Sequence, residues 1–116
     1  MDKARRRELK QTYKLTLPPM GIFSIRNVII GKALLDQSTN LTGSLNRHRF
    51  ELRLGVHRNP ELMADWRQYG ETQFSFEVVE QIKERPEPDF NYELELARRM
   101  AVWRARVPLG SPGSYL

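Results

Sequence analysis

The stretch Gly21-Ile22-Phe23-Ser24-Ile25-Arg26-Asn27, followed after a short break by Gly31-Lys32-Ala33-Leu34-Leu35-Asp36, decides how the rest of the chain is read. Gly21 to Arg26 reads as a short strand and Ala33-Leu34-Leu35 as a second, with Gly31-Lys32 in the turn between them. Toward the C-terminus the periodicity changes. Leu41, Leu45, His48 and Leu52 fall on one face of a helix predicted over Leu41 to Leu54, which Gly55 stops. Asn59-Pro60 starts the next helix, with Asn59 as cap and Pro60 in the first turn. Leu62, Trp66 and Tyr69 follow, and Gly70 closes it.

Phe74, Phe76 and Val78 then alternate with Ser75 and Glu77, which is strand periodicity. Pro86 and Pro88 break the chain, and a last helix is predicted from about Tyr92 to Val107, with Leu96, Met100, Trp103 and Val107 on one stripe. The tail from Pro108 to Ser114 is irregular. Toward the N-terminus, Pro18-Pro19 ends any helix and marks the entry to the domain. Before it lies a basic segment, Asp2 to Lys14, with Leu9 and Tyr13 as its apolar seam. The division is therefore a basic helical arm over 1–17 and a domain over 18–116. The fold class is α+β, ordered β-β-α-α-β-α with an extra N-terminal basic helix.

A length of 116 residues allows one domain with one modest core. The absence of cysteine excludes disulfides and thiolate metal sites. No apolar run approaches the ~20 residues of a membrane span, and the positive start Lys3 to Arg7 lacks the apolar stretch of a signal peptide. A cytoplasmic protein with no membrane partner is expected. A net charge of +5 puts nucleic acid first among acidic partners.

The residues from Gly21 through His48 resemble the GIY-YIG nuclease family without a gap. Gly21-Ile22-Phe23 stands at the first motif, Asn27 and Gly31-Lys32 at the hairpin, and Asn40-Leu41, Leu45 and His48 at the first core helix. The resemblance continues through Gly55-Val56-His57-Arg58-Asn59, Asp65-Trp66, Tyr69-Gly70 and Phe74 to Val78. It implies a compact three-stranded antiparallel sheet flanked by helices. It also implies phosphodiester cleavage by two tyrosines, an arginine and a metal-binding glutamate, which together supply an activated water, a cation for the phosphorane and Mg²⁺ on the phosphate oxygens.

This chain departs at those positions. Phe23 stands at the first tyrosine, Leu34 at the second, with Asp36 at the second motif's glycine, and Ser44 at the arginine. Arg99 or Met100 stands where the glutamate belongs in the last helix, with Glu95 or Glu93 as the substitute if the register shifts by a turn. The terminal Tyr115-Leu116 departs from the aromatic-asparagine ending of such domains. No catalytic residue, metal or cofactor is expected, with Mg²⁺ on Glu95 only if activity survives.

His48 reads in two ways, as a general base or phosphate contact, or as a buried hydrogen-bonded histidine; the second is preferred. His57 has no second ligand at metal spacing. Lys32, Arg47, His48, Arg49 and Arg53 are the candidates for gripping a phosphate backbone, against the alternatives of a turn residue and a solvated helix face. Trp66, Tyr69, Phe74, Phe76 and Trp103 are read as core rather than base-stacking platforms. Three functions remain open: a non-catalytic nucleic-acid-binding domain, a divergent nuclease with Tyr13, Tyr69, His48 and Arg47 as relocated groups, or a protein-interaction module.

Overall fold

The computed structural model describes residues 17–116. The expected N-terminal helix over Asp2 to Lys14, and Tyr13 with it, lies outside them. From Met20 onward the elements are β1 (Met20–Asn27), β2 (Ala33–Ser38), α1 (Leu41–Leu54), α2 (Pro60–Tyr69), a 3-10 turn (Glu71–Gln73), β3 (Phe74–Ile82) and α3 (Tyr92–Arg106). The expected order holds, and each element is where the periodicity placed it. Both strands of the hairpin run longer than the apolar residues alone suggested, because β1 lies at the centre of the sheet and its partners extend along its full length.

The sheet has three antiparallel strands in the order β2-β1-β3. Successive side chains of β1 point to opposite faces, and each face has its own core. Phe23 and Ile25 join Leu34, Leu41, Leu52, Leu62, Trp66 and Phe74 under α1 and α2. Ile22 joins Leu35, Ile82, Leu96 and Met100 under α3. The aromatic residues are structural here: Trp66 packs on Phe74 and Phe76 at ring-centroid distances of 5.2 and 6.1 Å.

One irregularity shapes both faces. Ile22 opposes Glu80 but Phe23 opposes Val78, so Val79 is an extra residue in β3. A one-residue bulge reverses the facing of everything beyond it. Phe74, Phe76 and Val78 face α1 and α2, whereas Glu80 and Ile82 turn to α3. Gly21 is the counterpart of this bulge, since a Cβ there would sit 2.0 Å from the Glu80 carbonyl oxygen. No side chain fits, which explains a glycine at the head of the strand.

The caps follow the sequence. Asn40 and Asn59 accept the N–H groups of Gly43 and Leu62 at 3.0 and 2.9 Å, satisfying donors that a helix start leaves open. Gly55 ends α1 at φ 78°, a left-handed conformation that favours glycine. The tail from Ser114 pairs briefly with Ala33 in parallel and buries Tyr115, whose hydroxyl donates to Asp65 Oδ2 at 2.8 Å. Among the described residues no helix is long and apolar enough to cross a membrane.

Candidate functional site

The helical stripe of α1 that buries Leu41 and Leu52 and half-buries Leu45 also points His48 inward, 5.4 Å from the Phe23 ring. Beyond Gly55 the chain reverses and returns His57 to the side of His48. His48 Nδ1 and His57 Nε2 are 2.8 Å apart. Asn59, two residues on, donates its backbone N–H to His57 Nδ1 at 3.0 Å. The same Asn59 caps α2 with Oδ1 and donates Nδ2–H to the Tyr115 carbonyl at 2.8 Å.

The backbone donor fixes the protons of the pair. A neutral imidazole carries one N–H and one acceptor. His57 Nδ1 accepts, so its Nε2 donates to His48 Nδ1, and the proton of His48 sits on Nε2. That Nε2 is buried and has no partner among the described residues. Burial pulls the pKa of His48 down to about 4, with the nearby His57 and Arg47 adding to the effect, and burial likewise lowers that of His57. Both rings are neutral near pH 7. The neutral pair offers an N–H donor rather than a proton acceptor.

An open pocket of about 310 Å³ surrounds the pair. Leu34 and Asp36 from β2, Arg47 and Glu51 from α1, and Arg58, Asn59 and Pro60 from the start of α2 form its walls, with Leu116 at the rim. Arg47 leans toward Glu51 at 3.7 Å. Arg58 is exposed and makes no ion pair with a described residue. The pocket thus combines a neutral N–H donor, two guanidinium groups and two carboxylates.

The proposed phosphate-gripping residues separate on the structure. Arg47 and His48 line the pocket. Arg49 stacks its guanidinium 4.4 Å from the Phe76 ring centroid. Arg53 makes a two-pronged pair with Glu71 at 2.6 and 2.7 Å, which holds the Glu71 carboxyl below its ordinary value. Lys32 pairs with Glu61 and lies over the Tyr115 ring. His57 and Arg58 enter the site without having been singled out by spacing. The signal was the helix stop at Gly55, which turns a separation of nine residues into a contact.

Phe23 and Leu34 are buried beside the pocket and bring no hydroxyl to it. Ser44 turns away to Ser38, Oγ to Oγ 2.6 Å. Glu95 lies on α3, across the sheet from His48, where Arg98 and Arg99 hold it. Met100 is buried in the apolar core of that face and Arg99 pairs with Glu80. A Mg²⁺ bound through an α3 carboxylate at this pocket does not fit the donor set, because no oxygen ligand of α3 reaches it. Among the described residues no three His, Asp or Glu side chains converge on one point.

No protein-family model matches the chain, and no curated relative does. Solved structures do. The catalytic domain of the homing endonuclease I-TevI superposes with a TM-score of 0.66 over 83% of this chain and 95% of that one, at 20% identity. A mutant of the catalytic domain of the intron endonuclease I-TevI superposes with a TM-score of 0.61 over 76% of this chain and 82% of that one, at 19% identity. With its antiparallel β2-β1-β3 sheet between helices, this chain has a GIY-YIG-like fold, that of a nuclease domain.

Proposed function

We propose that this domain binds the phosphodiester backbone of nucleic acid at the His48 pocket and does not hydrolyse it efficiently. The observation that carries the reading is the composition of that pocket. Its apolar neighbours are Phe23 and Leu34, where the resembled enzymes have tyrosines, yet it keeps a buried unpaired N–H on His48 and two guanidinium groups. A phosphate oxygen would satisfy the orphan donor, and Arg47 and Arg58 would supply charge-assisted contacts. The lost hydroxyls remove the group that would relay a proton from water. Losing one transition-state-stabilising group commonly costs about a hundred- to a thousandfold in rate.

Charge distribution refines this reading. Residues 17–116 carry thirteen Lys and Arg against twelve Asp and Glu, whereas residues 1–16 carry six against two. The basic excess resides in the first sixteen residues, so they contribute most of the long-range attraction for a polyanion. The domain itself contributes short-range contacts.

The test is binding and cleavage of supercoiled plasmid and short duplexes with Mg²⁺ or Mn²⁺ over a salt series. Salt-sensitive binding without nicking is expected. Absent or salt-insensitive binding overturns the proposal. A second reading, a divergent nuclease, is favoured by the His48–His57 chain, since a fixed N–H donor can hydrogen-bond the negative charge that develops on a phosphate oxygen. Metal-dependent nicking that vanishes in His48→Ala would establish it.

A further inference from the structure

The turn between β1 and β2 carries Val28, Ile29 and Ile30 in a row, 51%, 58% and 49% exposed. Three adjacent aliphatic side chains left in water gain nothing for folding. Nor is the turn loose. The buried Asn27 accepts the N–H groups of Ile29 and Ile30 on Oδ1 at 3.0 and 3.4 Å. Gly31 donates back to the Asn27 carbonyl at 2.8 Å, and Val28 donates to Gln73 at 2.9 Å. Gly31 takes φ 75°, which lets the turn close. The tip is an apolar protrusion held in one shape before it meets anything.

Its flank is basic. Arg26 and Arg106 line a groove of about 410 Å³ that runs from Gly31 along the α3 face, with Ser24, Trp103 and Ser111. Arg106 lies 5.0 Å over the Trp103 ring, and neither arginine makes an ion pair with a described residue. The acidic residue of the groove, Glu77, accepts the Ser75 hydroxyl at 2.6 Å. An apolar tip beside two unpaired guanidinium groups complements a partner that is anionic along its backbone and flat and apolar between its charges.

We propose that the Val28-Ile29-Ile30 tip is a wedge that enters a base step of a nucleic-acid duplex, with Arg26 and Arg106 on the phosphates beside it. Aliphatic side chains inserted this way unstack a step and bend the duplex, while flanking cations release counterions. Ile30 lies four residues from Leu34 of the His48 pocket, at most about 13 Å along the chain. The proposal rests on the nucleic-acid reading above.

The test uses the full chain and a short DNA duplex containing 2-aminopurine, whose fluorescence rises when its step unstacks, across a salt series. Binding of the natural sequence should raise the fluorescence. Ile29→Asp should lose the rise and about tenfold in affinity; Ile29→Gln, the milder and uncharged variant, should show the same direction with the salt slope unchanged, also if Ile29→Asp fails to fold. Arg26→Ala and Arg106→Ala should each lower the slope by about one. Arg58→Ala probes the pocket alone and should weaken binding while leaving the fluorescence rise. If Ile29→Asp and Ile29→Gln bind and unstack like the natural sequence, the wedge is overturned and the pocket reading stands. If the tip variants weaken binding and Arg58→Ala does not, the pocket reading falls and the wedge stands. Absence of duplex binding overturns both. Self-association or anionic-vesicle binding that Ile29→Asp abolishes, with duplex binding intact, also overturns the wedge.

Discussion

One polar network on each face of the sheet ends in the opposite way from the other. Under α3, Glu80 accepts the Trp103 indole N–H at 2.9 Å and pairs with Arg99, which in turn holds Glu95 at 2.8 Å. With Arg98 on Glu95 the four charges compensate one another, and the Glu80 carboxyl is held below its usual value by Arg99 and Trp103. Under α1 and α2 the histidine chain ends on a buried N–H that no described residue accepts. A closed network needs no ligand. An open one incurs a desolvation cost that only a ligand or water can offset. The lesson is that an unsatisfied donor, rather than the number of charges, marks a place for a ligand or water.

The contrast breaks most severely at the residue that sets the register of both faces. Gly21→Ala drives a methyl into the Glu80 carbonyl and must displace β3 or undo the bulge. A loss of several kcal/mol is expected, at the upper end for a single substitution. A cooperative melt within a few degrees of the natural protein would show that the bulge is not fixed by that contact.

Acid sharpens the comparison. His48 titrates near 4 in the folded chain and near 6.5 when unfolded. The unfolded chain therefore takes up a proton first, and stability contributed by the neutral pair is lost as pH falls from 6.5 toward 4. Glu80 behaves differently, because its carboxyl is held below 4.5. Its contribution is intact above 4.5 and is lost only as pH falls through its lower folded value. Melting temperature measured from pH 7 to pH 3 should fall first through the pocket and later through the α3 face. For the pocket the effect is about 1–2 kcal/mol after allowance for solvent screening. His48→Asn keeps an acceptor for His57 without the titration and should flatten the upper part of the curve. An unchanged slope between pH 6.5 and 5 would assign the acid sensitivity elsewhere.

The smallest effect is expected on the closed side. Glu80→Gln removes the charge partner of Arg99 while keeping an acceptor for Trp103, and should cost about 1 kcal/mol or less. Duplex affinity should not fall, since the pocket lies across the sheet and Glu80 is an acidic neighbour of Arg106. A matched loss of stability and affinity would mean the two faces are coupled through β1.

Much of this was legible beforehand, and the reasons differ residue by residue. Leu41, Leu45, His48 and Leu52 announce α1, and Asn59-Pro60 announces α2, because periodicity and capping are local and act within a few residues. The charge division between residues 1–16 and the rest is plain in the sequence as well. Phe74, Phe76 and Val78 gave β3 its direction, but the same alternation carried on would have put Glu80 and Ile82 on the wrong face. Nothing local marks Val79 as the extra residue. The bulge arises where β3 crosses the side-chain-free Gly21, fifty-eight positions earlier in the chain.

The candidate site divides in the same way. Phe23, Leu34 and Ser44 could be read in order, because each is a statement about one side chain. The His48–His57 chain could not, since its meaning depends on a helix stop at Gly55, a backbone N–H at Asn59 and the burial of one ring nitrogen. By itself the sequence determined which elements form, because propensity, capping and periodicity act over short spans. Only the tertiary structure decided which polar atoms are left without partners, because hydrogen-bond satisfaction is set by residues far apart in the chain that packing brings within 3 Å.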